Sequence, residues 1–276
     1  MKNRTVGFIG AGNMARSLAK GLIDNGWPAG QIVLSDPGGE QRQSTSNLLG
    51  AECISDNNEV AQRADVIVLA VKPQQLQAAI EPLAATVQQK QLLVISVVAG
   101  IHSADIEQWL GGNLAIIRTM PNTPALIGSG ASGLFANERA TEEDRNLAES
   151  LLRACGVTAW VDKEHKLDVV TALSGSGPAY YFLMMEALEN AAIARGLNEA
   201  DARLLTLETA LGAAKMALES HEDPARLRQR VTSPGGTTER ALEVFEDAGL
   251  REICQQAVDA AITRAQELAE MFGGEK

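Results

Sequence analysis

Residues 5–21 read T-V-G-F-I-G-A-G-N-M-A-R-S-L-A-K-G. Val6, Phe8 and Ile9 predict a short apolar strand, and Gly10, Gly12 and Ala15 then fall in the spacing G-x-G-x-x-A before a helical pattern. Each small residue suits a dinucleotide site: Gly10 for a tight turn, Gly12 for close approach of a pyrophosphate, Ala15 for close helix–strand packing. The helix start then offers unpaired N–H groups and a partial positive charge to the phosphates. The motif alone is weak. Its place after a strand, before a helix and near the start of the chain gives it meaning.

The composition narrows the setting. A chain of 276 residues is long enough for a large core and for two domains. A net charge of −11 argues against nucleic acid or an anionic membrane as partner. The longest apolar runs, such as Val66 to Val71, are too short to span a bilayer. Met1 to Arg4 lead straight into the strand, so no secretory leader is expected. Cys53, Cys155 and Cys254 are odd in number and widely spaced, which suits neither a disulfide framework nor a zinc motif. Each is expected to be buried or half-buried, no metal is expected, and a reducing cytoplasmic compartment fits.

Outward from the opening motif, strands and helices alternate. Gln31 to Ser35 predicts a second strand ending at Asp36. An acidic residue there serves either to bond the adenosine ribose hydroxyls of NAD or to make a turn before Pro37-Gly38-Gly39, while Arg42 is near enough to meet a ribose phosphate. The loop leaves NAD and NADP open. Ala64 to Val71 reads as a central parallel strand buried on both faces, ending in Lys72-Pro73-Gln74 with Pro73 starting a helix. Leu92 to Val98 and Ala115 to Met120 predict further strands, with Ser103 capping the helix between them. Pro121-Asn122-Thr123-Pro124 fixes a rigid loop. Ala131 to Phe135, a helix over Glu142 to Cys155 and a strand over Val157 to Val161 complete a doubly wound α/β domain over residues 1–162.

From Asp162 the strand pattern stops and a helical domain over 163–276 is expected. The helix Tyr180 to Arg195 keeps its strongly polar residues to Glu186, Glu189 and Asn190 on one narrow face. Ala200 to Leu218 is similar, with Gly212-Ala213-Ala214 permitting close approach of a neighbour. Helices apolar on most sides must be buried on most sides, and so short a helical half covers them poorly alone. A second subunit is expected to cover them, the alternative being a self-contained bundle core. The loop Val231-Thr232-Ser233-Pro234-Gly235-Gly236-Thr237-Thr238 precedes a helix through Glu246. Consecutive backbone N–H groups around its two glycines suit a small carboxylate.

The motifs V-G-F-I-G-A-G-N-M-A, A-V-K-P-Q, M-P-N-T-P, L-S-G-S-G-P-A-Y, G-A-A-K-M and V-T-S-P-G-G-T-T, in this order and spacing, make the chain resemble the pyrroline-5-carboxylate reductase family over nearly its whole length. The resemblance implies a Rossmann-type domain followed by an all-helical dimerisation domain, a homodimer and an assembly of five dimers. It implies reduction of a cyclic imino acid to L-proline with NADP(H), or with NAD(H). It places Gly10, Ala11, Gly12, Asn13 and Met14 on the pyrophosphate and Ser35 with Asp36 at the adenosine end. Asn57, Val71, Lys72, Pro73 and Val98 line the rest of the cofactor. Glu164, Arg230, Ser233, Gly235, Gly236, Thr237 and Thr238 surround the substrate, with Thr238 the expected catalytic residue, bonding the ring nitrogen. Family members often carry Asn-Arg or Ser-Ser where this chain has Ser35-Asp36-Pro37, and some carry Asn at the place of Arg230.

No strong general acid is required of the protein, since a protonated imine is already electrophilic and the cofactor carries the hydride. His102, His165 and His221 are scattered, and His165 beside Glu164 reads as a surface residue. A β-hydroxyacid-dehydrogenase-like enzyme is the rival, and its catalytic Lys has no counterpart between Tyr180 and Arg195. A non-catalytic dinucleotide-binding protein is the other, against which the retained Thr238 loop speaks.

Overall fold

The structure, a computed structural model, describes residues 4–273; Met1 to Asn3, on which the N-terminal reading partly rests, and residues 274–276 lie outside the described residues. The elements run β1 (Val6–Ile9), α1 (Asn13–Asp24), β2 (Ile32–Ser35), α2 (Gly39–Leu49), β3 (Glu52–Ile54), α3 (Asn57–Arg63), β4 (Val66–Leu69), α4 (Pro73–Ile80), α5 (Ala84–Lys90) and β5 (Leu93–Ser96). They continue as α6 (Ser103–Trp109), β6 (Ile116–Met120), β7 (Gly130–Ala136), α7 (Glu142–Arg153), β8 (Gly156–Trp160) and α8 (Lys166–Val170), which passes into a π-helical turn over Thr171–Gly175. Five helices follow: α9 (Gly177–Ile193), α10 (Glu199–Glu219), α11 (Pro224–Arg230), α12 (Thr237–Asp247) and α13 (Leu250–Phe272).

Eight strands form one sheet in the order β3-β2-β1-β4-β5-β6-β7-β8, parallel except where β6 meets β7. The strands are shorter than their apolar runs: β4 covers four of the eight residues from Ala64 to Val71. β3 is absent from the sequence reading because three half-exposed residues on an edge carry no periodic signal. Two apolar layers sandwich the sheet. Val6, Phe8, Leu34, Val68 and Ile95 pack under α1 and α7, and Ile9, Val33, Ile67, Leu69, Val94 and Ile116 pack under α3 to α6. This is the doubly wound architecture that the alternation of elements predicts.

The chain divides into two compact units, one reaching Ser176 and resuming at Ala260, the other spanning Gly177–Asp259. The end of the strand pattern at Asp162 therefore precedes the packing boundary. The reason is local: α8 lies on β6 and β7, with Val170 filling the space that Gly133 leaves open. In the second unit α9 packs on α10, yet Tyr181 is 70%, Phe182 64% and Leu183 67% exposed. Ala202 is the one apolar residue of α10 buried in the chain. A self-contained bundle core is thus not what these helices build. Cys254, expected to be covered, is exposed on α13, whereas Cys155 is buried and Cys53 partly so. Among the described residues no helix is long and apolar enough to cross a membrane.

Candidate active site

The carboxyl ends of β1 and β4 meet where the strand order reverses, which is where open α/β sheets bind ligands. A cavity of about 480 Å³ opens there, lined by Gly10, Ala11, Gly12, Ser35, Asp36, Asn57, Val71 and Lys72. Gly10 has φ +102°, and a Cβ at this position would meet the Ala70 carbonyl oxygen at 2.7 Å. Nothing lies within 4 Å of a Cβ built on Gly12, so the backbone faces open space at the helix start. A turn with glycine at both Gly10 and Gly12, ahead of a 12-residue helix, is a cradle for a pyrophosphate, and the lining fits a dinucleotide.

The other expected cofactor residues divide. Asn13 and Met14 form the first turn of α1, where Asn13 accepts the Ser17 hydroxyl through its carbonyl and Met14 packs toward the core. Ser35 is fully buried, and its hydroxyl donates to the Phe8 carbonyl at 3.2 Å. Pro73 is the first residue of α4, with Lys72 as its cap. Val98 is buried in the core layer and donates its N–H to the Ser96 hydroxyl at 3.2 Å. Ser55, Gln75, Ala78 and Ala79 also line the cavity, and nothing in their local sequence marks them. At the adenosine end, Asp36 Oδ1 accepts the Gly38 N–H at 2.9 Å, and Arg42 donates to the Asp36 and Pro37 carbonyls.

Glu164 belongs to the same unit, and its surroundings are the main feature that sequence reasoning missed. Alternation along β6 puts Arg118 on the face of Ile116, and the register sets it opposite Ser96, the last residue of β5. Its guanidinium is buried and donates to Glu164 Oε1 at 2.8 Å. Ser103 donates its N–H to Oε1 at 2.6 Å and its hydroxyl to Oε2 at 2.8 Å. Ser103 is therefore not the expected cap. His102 takes that place, its N–H donating to Asp105. His102 Nδ1 stands 3.8 Å from Glu164 Oε1, beyond hydrogen-bond reach but close enough to act as a charge. Burial would raise the Glu164 carboxyl, yet His102 and the guanidinium outweigh it and hold it at about 2. The same carboxylate raises His102. The available signal was an Arg inside the apolar strand A-I-I-R-T-M.

The remaining expected substrate residues lie in the second unit. Gly235 has φ +70°, and Gly236 caps α12, of which Thr237 and Thr238 are the first two residues. The amide donors are not free as expected. Gly235 donates its N–H to Glu239 Oε2 at 2.7 Å, and Gly236 donates to the Ser233 carbonyl at 2.9 Å. Arg230 ends α11 with its side chain exposed and paired to Glu222 at 2.7 Å. Glu239, in the first turn of α12, thus caps the start of its own helix.

Comparison with known proteins bears on both units. A family model described as pyrroline-5-carboxylate reductase dimerisation matches residues 164–268, and one described as NADP oxidoreductase coenzyme F420-dependent matches residues 5–100. The chain is 48% identical over 273 residues to the pyrroline-5-carboxylate reductase of Pseudomonas aeruginosa, covering 99% of this chain and all of that one. It is 40% identical to that of Pisum sativum, covering 96% of each. Among solved structures it is similar to a pyrroline-5-carboxylate reductase from Coxiella burnetii, with TM-score 0.92, 46% identity and coverage of 96% and 98%. It is also similar to the Plasmodium falciparum pyrroline carboxylate reductase with NADP bound, with TM-score 0.88, 28% identity and coverage of 98% and 99%.

Proposed function

The chain belongs to the pyrroline-5-carboxylate reductase family, and from that premise we propose how its residues share the work. It is an NAD(P)H-dependent oxidoreductase that reduces the C=N bond of pyrroline-5-carboxylate to give L-proline. The observation that carries this is 48% identity over the whole length joined to a crevice at the β1–β4 switch point where the backbone at Gly12 faces open space. Bound there, the cofactor supplies a hydride from C4 of its nicotinamide.

The Gly10–Gly12 turn and the start of α1 hold the pyrophosphate, with Asn57, Val71 and Lys72 along the crevice. The loop Ser233–Gly236 takes the substrate carboxylate, which displaces Glu239 from the Gly235 N–H. Thr237 and Thr238 are assigned to the substrate, the Thr238 hydroxyl bonding the ring nitrogen and orienting the C=N bond. Glu164 supplies a fixed negative charge that balances the protonated imine. With charge and orientation supplied in this way, no dedicated acid is needed. Arg230, exposed and paired to Glu222, is assigned with these loop residues to the substrate.

Residues 1–162 serve as the cofactor segment and 163–276 as the dimerisation and substrate segment, a division supported by the match over 164–268, while the stretches up to Ser176 and from Ala260 pack with the first unit. The bare apolar faces of α9 and α10 support a homodimer; the family resemblance, with a cytoplasmic setting, leaves open whether the dimer stands alone or five of them form a decamer. The direct test mixes purified protein with pyrroline-5-carboxylate and either reduced nicotinamide cofactor, and follows cofactor oxidation. Turnover with at least one is expected. Folded protein that turns over with neither would overturn the reading.

A further inference from the structure

A buried guanidinium is an expensive occupant of a β-strand. Arg118 is 3% exposed, and its neighbours on the same face of β6, Ile116 and Met120, are apolar and buried. An apolar residue of similar volume would fill this place at less cost in desolvation. What the guanidinium does there is hold Glu164, 46 residues further along the chain.

The Glu164 carboxylate has about four acceptor positions. Oε1 takes the Arg118 guanidinium and the Ser103 N–H, and Oε2 takes the Ser103 hydroxyl. One position on Oε2 has no donor among the described residues, and the side chain keeps 21% of its surface exposed. The group is tied on three sides and open on the fourth. Other ionisable groups face it from each neighbouring element: His102 and Asp105 around the start of α6, and Asp168 and His165 around α8. Burial raises the Asp168 carboxyl, with the Arg118 guanidinium and His102 opposing it.

We propose that Arg118 is a positioning residue of the reaction, fixing the Glu164 carboxylate together with Ser103 so that its open oxygen faces the cationic imine. The proposal rests on Glu164 facing the substrate, as argued above. Arg118 touches neither substrate nor cofactor; it acts through Glu164. Without the guanidinium the carboxylate keeps His102 and Ser103 but loses its charged donor while its burial remains, so Glu164 protonates at a higher pH and is held less firmly.

The test is the pH profile of kcat/KM for pyrroline-5-carboxylate in the full-length protein and in Arg118→Gln, Arg118→Lys and Glu164→Gln. Titration of the substrate imine affects all four alike, so differences between profiles report the protein. Arg118→Gln is expected to lose about tenfold or more at neutral pH and to fall further as pH drops between about 8 and 5. Arg118→Lys, which restores the charge, is expected to recover much of the loss and to remove that acid limb. Glu164→Gln is expected to be impaired without the limb. Cofactor affinity, read from nicotinamide fluorescence, is expected to stay unchanged in all three, which general damage to the first unit would not allow.

An Arg118→Gln profile parallel to the parent's, or a loss that is independent of pH and not restored by Lys, overturns the proposal while leaving Glu164 in place. A fully active Glu164→Gln removes the assignment of Glu164 to the substrate, and the proposal with it. If Arg118→Gln does not fold, Ser103→Ala decides, since it removes one donor from the carboxylate and keeps the ion pair. The same limb at lower pH is then expected, and an unchanged profile overturns the proposal.

Discussion

Asp36 turns its carboxylate back on its own loop, onto the Gly38 N–H, at the adenosine end of the crevice. Arg42, in the first turn of α2, donates its Nη1 to the Asp36 and Pro37 carbonyls. A carboxylate there repels a ribose phosphate by about 1–3 kcal/mol when the two are close and partly shielded. Asp36→Asn is accordingly expected to raise the NADPH-to-NADH ratio of kcat/KM by about 5- to 150-fold. An unchanged ratio would mean that the carboxylate points away from the ribose. Thr238 is the second residue to test. Losing a hydrogen bond to a charged partner costs about 1.5–3 kcal/mol, so Thr238→Ala is expected to lower kcat/KM by roughly 10- to 150-fold. Thr238→Ser should restore much of this, with cofactor affinity untouched in both. Equal impairment of the Ala and Ser variants would give the methyl group, and not the hydroxyl, the leading part.

Among elements, α12 shows how a helix start can be both capped and poised. Its expected glycine nest is present in sequence, but one turn into the helix Glu239 reaches back and takes the Gly235 N–H. The spacing V-T-S-P-G-G-T-T announces the loop, since Gly235 needs its positive φ and the helix starts at Thr237. It does not announce the Glu239 contact, which depends on a rotamer. Glu239→Gln weakens the acceptor, so KM for pyrroline-5-carboxylate is expected to fall by about fivefold with kcat unchanged. Helix-start stabilisation of about 1 kcal/mol is lost alongside, visible as a lower melting temperature. A raised KM would instead make Glu239 a substrate contact. The π-helical turn after α8 is equally illegible in L-S-G-S-G. Asn122 donates to the Ser174 carbonyl there, a pairing across 52 residues that links two motifs sequence analysis could only treat separately.

At the scale of the molecule, α9 and α10 expose a wide apolar surface that the chain itself does not cover. Charge placed at Leu183 or Leu188, as in Leu183→Glu, is expected to dissociate or unfold the proposed dimer and abolish turnover. Sedimentation at low concentration checks this, and an active monomer of the parent protein would sink it. The sequence by itself determined the alternation of strands and helices, the crevice at Gly10 and Gly12, the start of α4 at Pro73, and the apolar girth of the last helices. These follow from periodicity, from backbone dihedrals and from caps, all of which act within a few residues. Only the tertiary structure decided which side chains meet. Arg118 finds Glu164 because β6 lies in register with β5 and because the segment after β8 folds onto that face. Ser35 spends its hydroxyl on Phe8 because β2 lies beside β1. Such partnerships join residues far apart in the chain, and their energies depend on a burial and a register that local pattern does not encode.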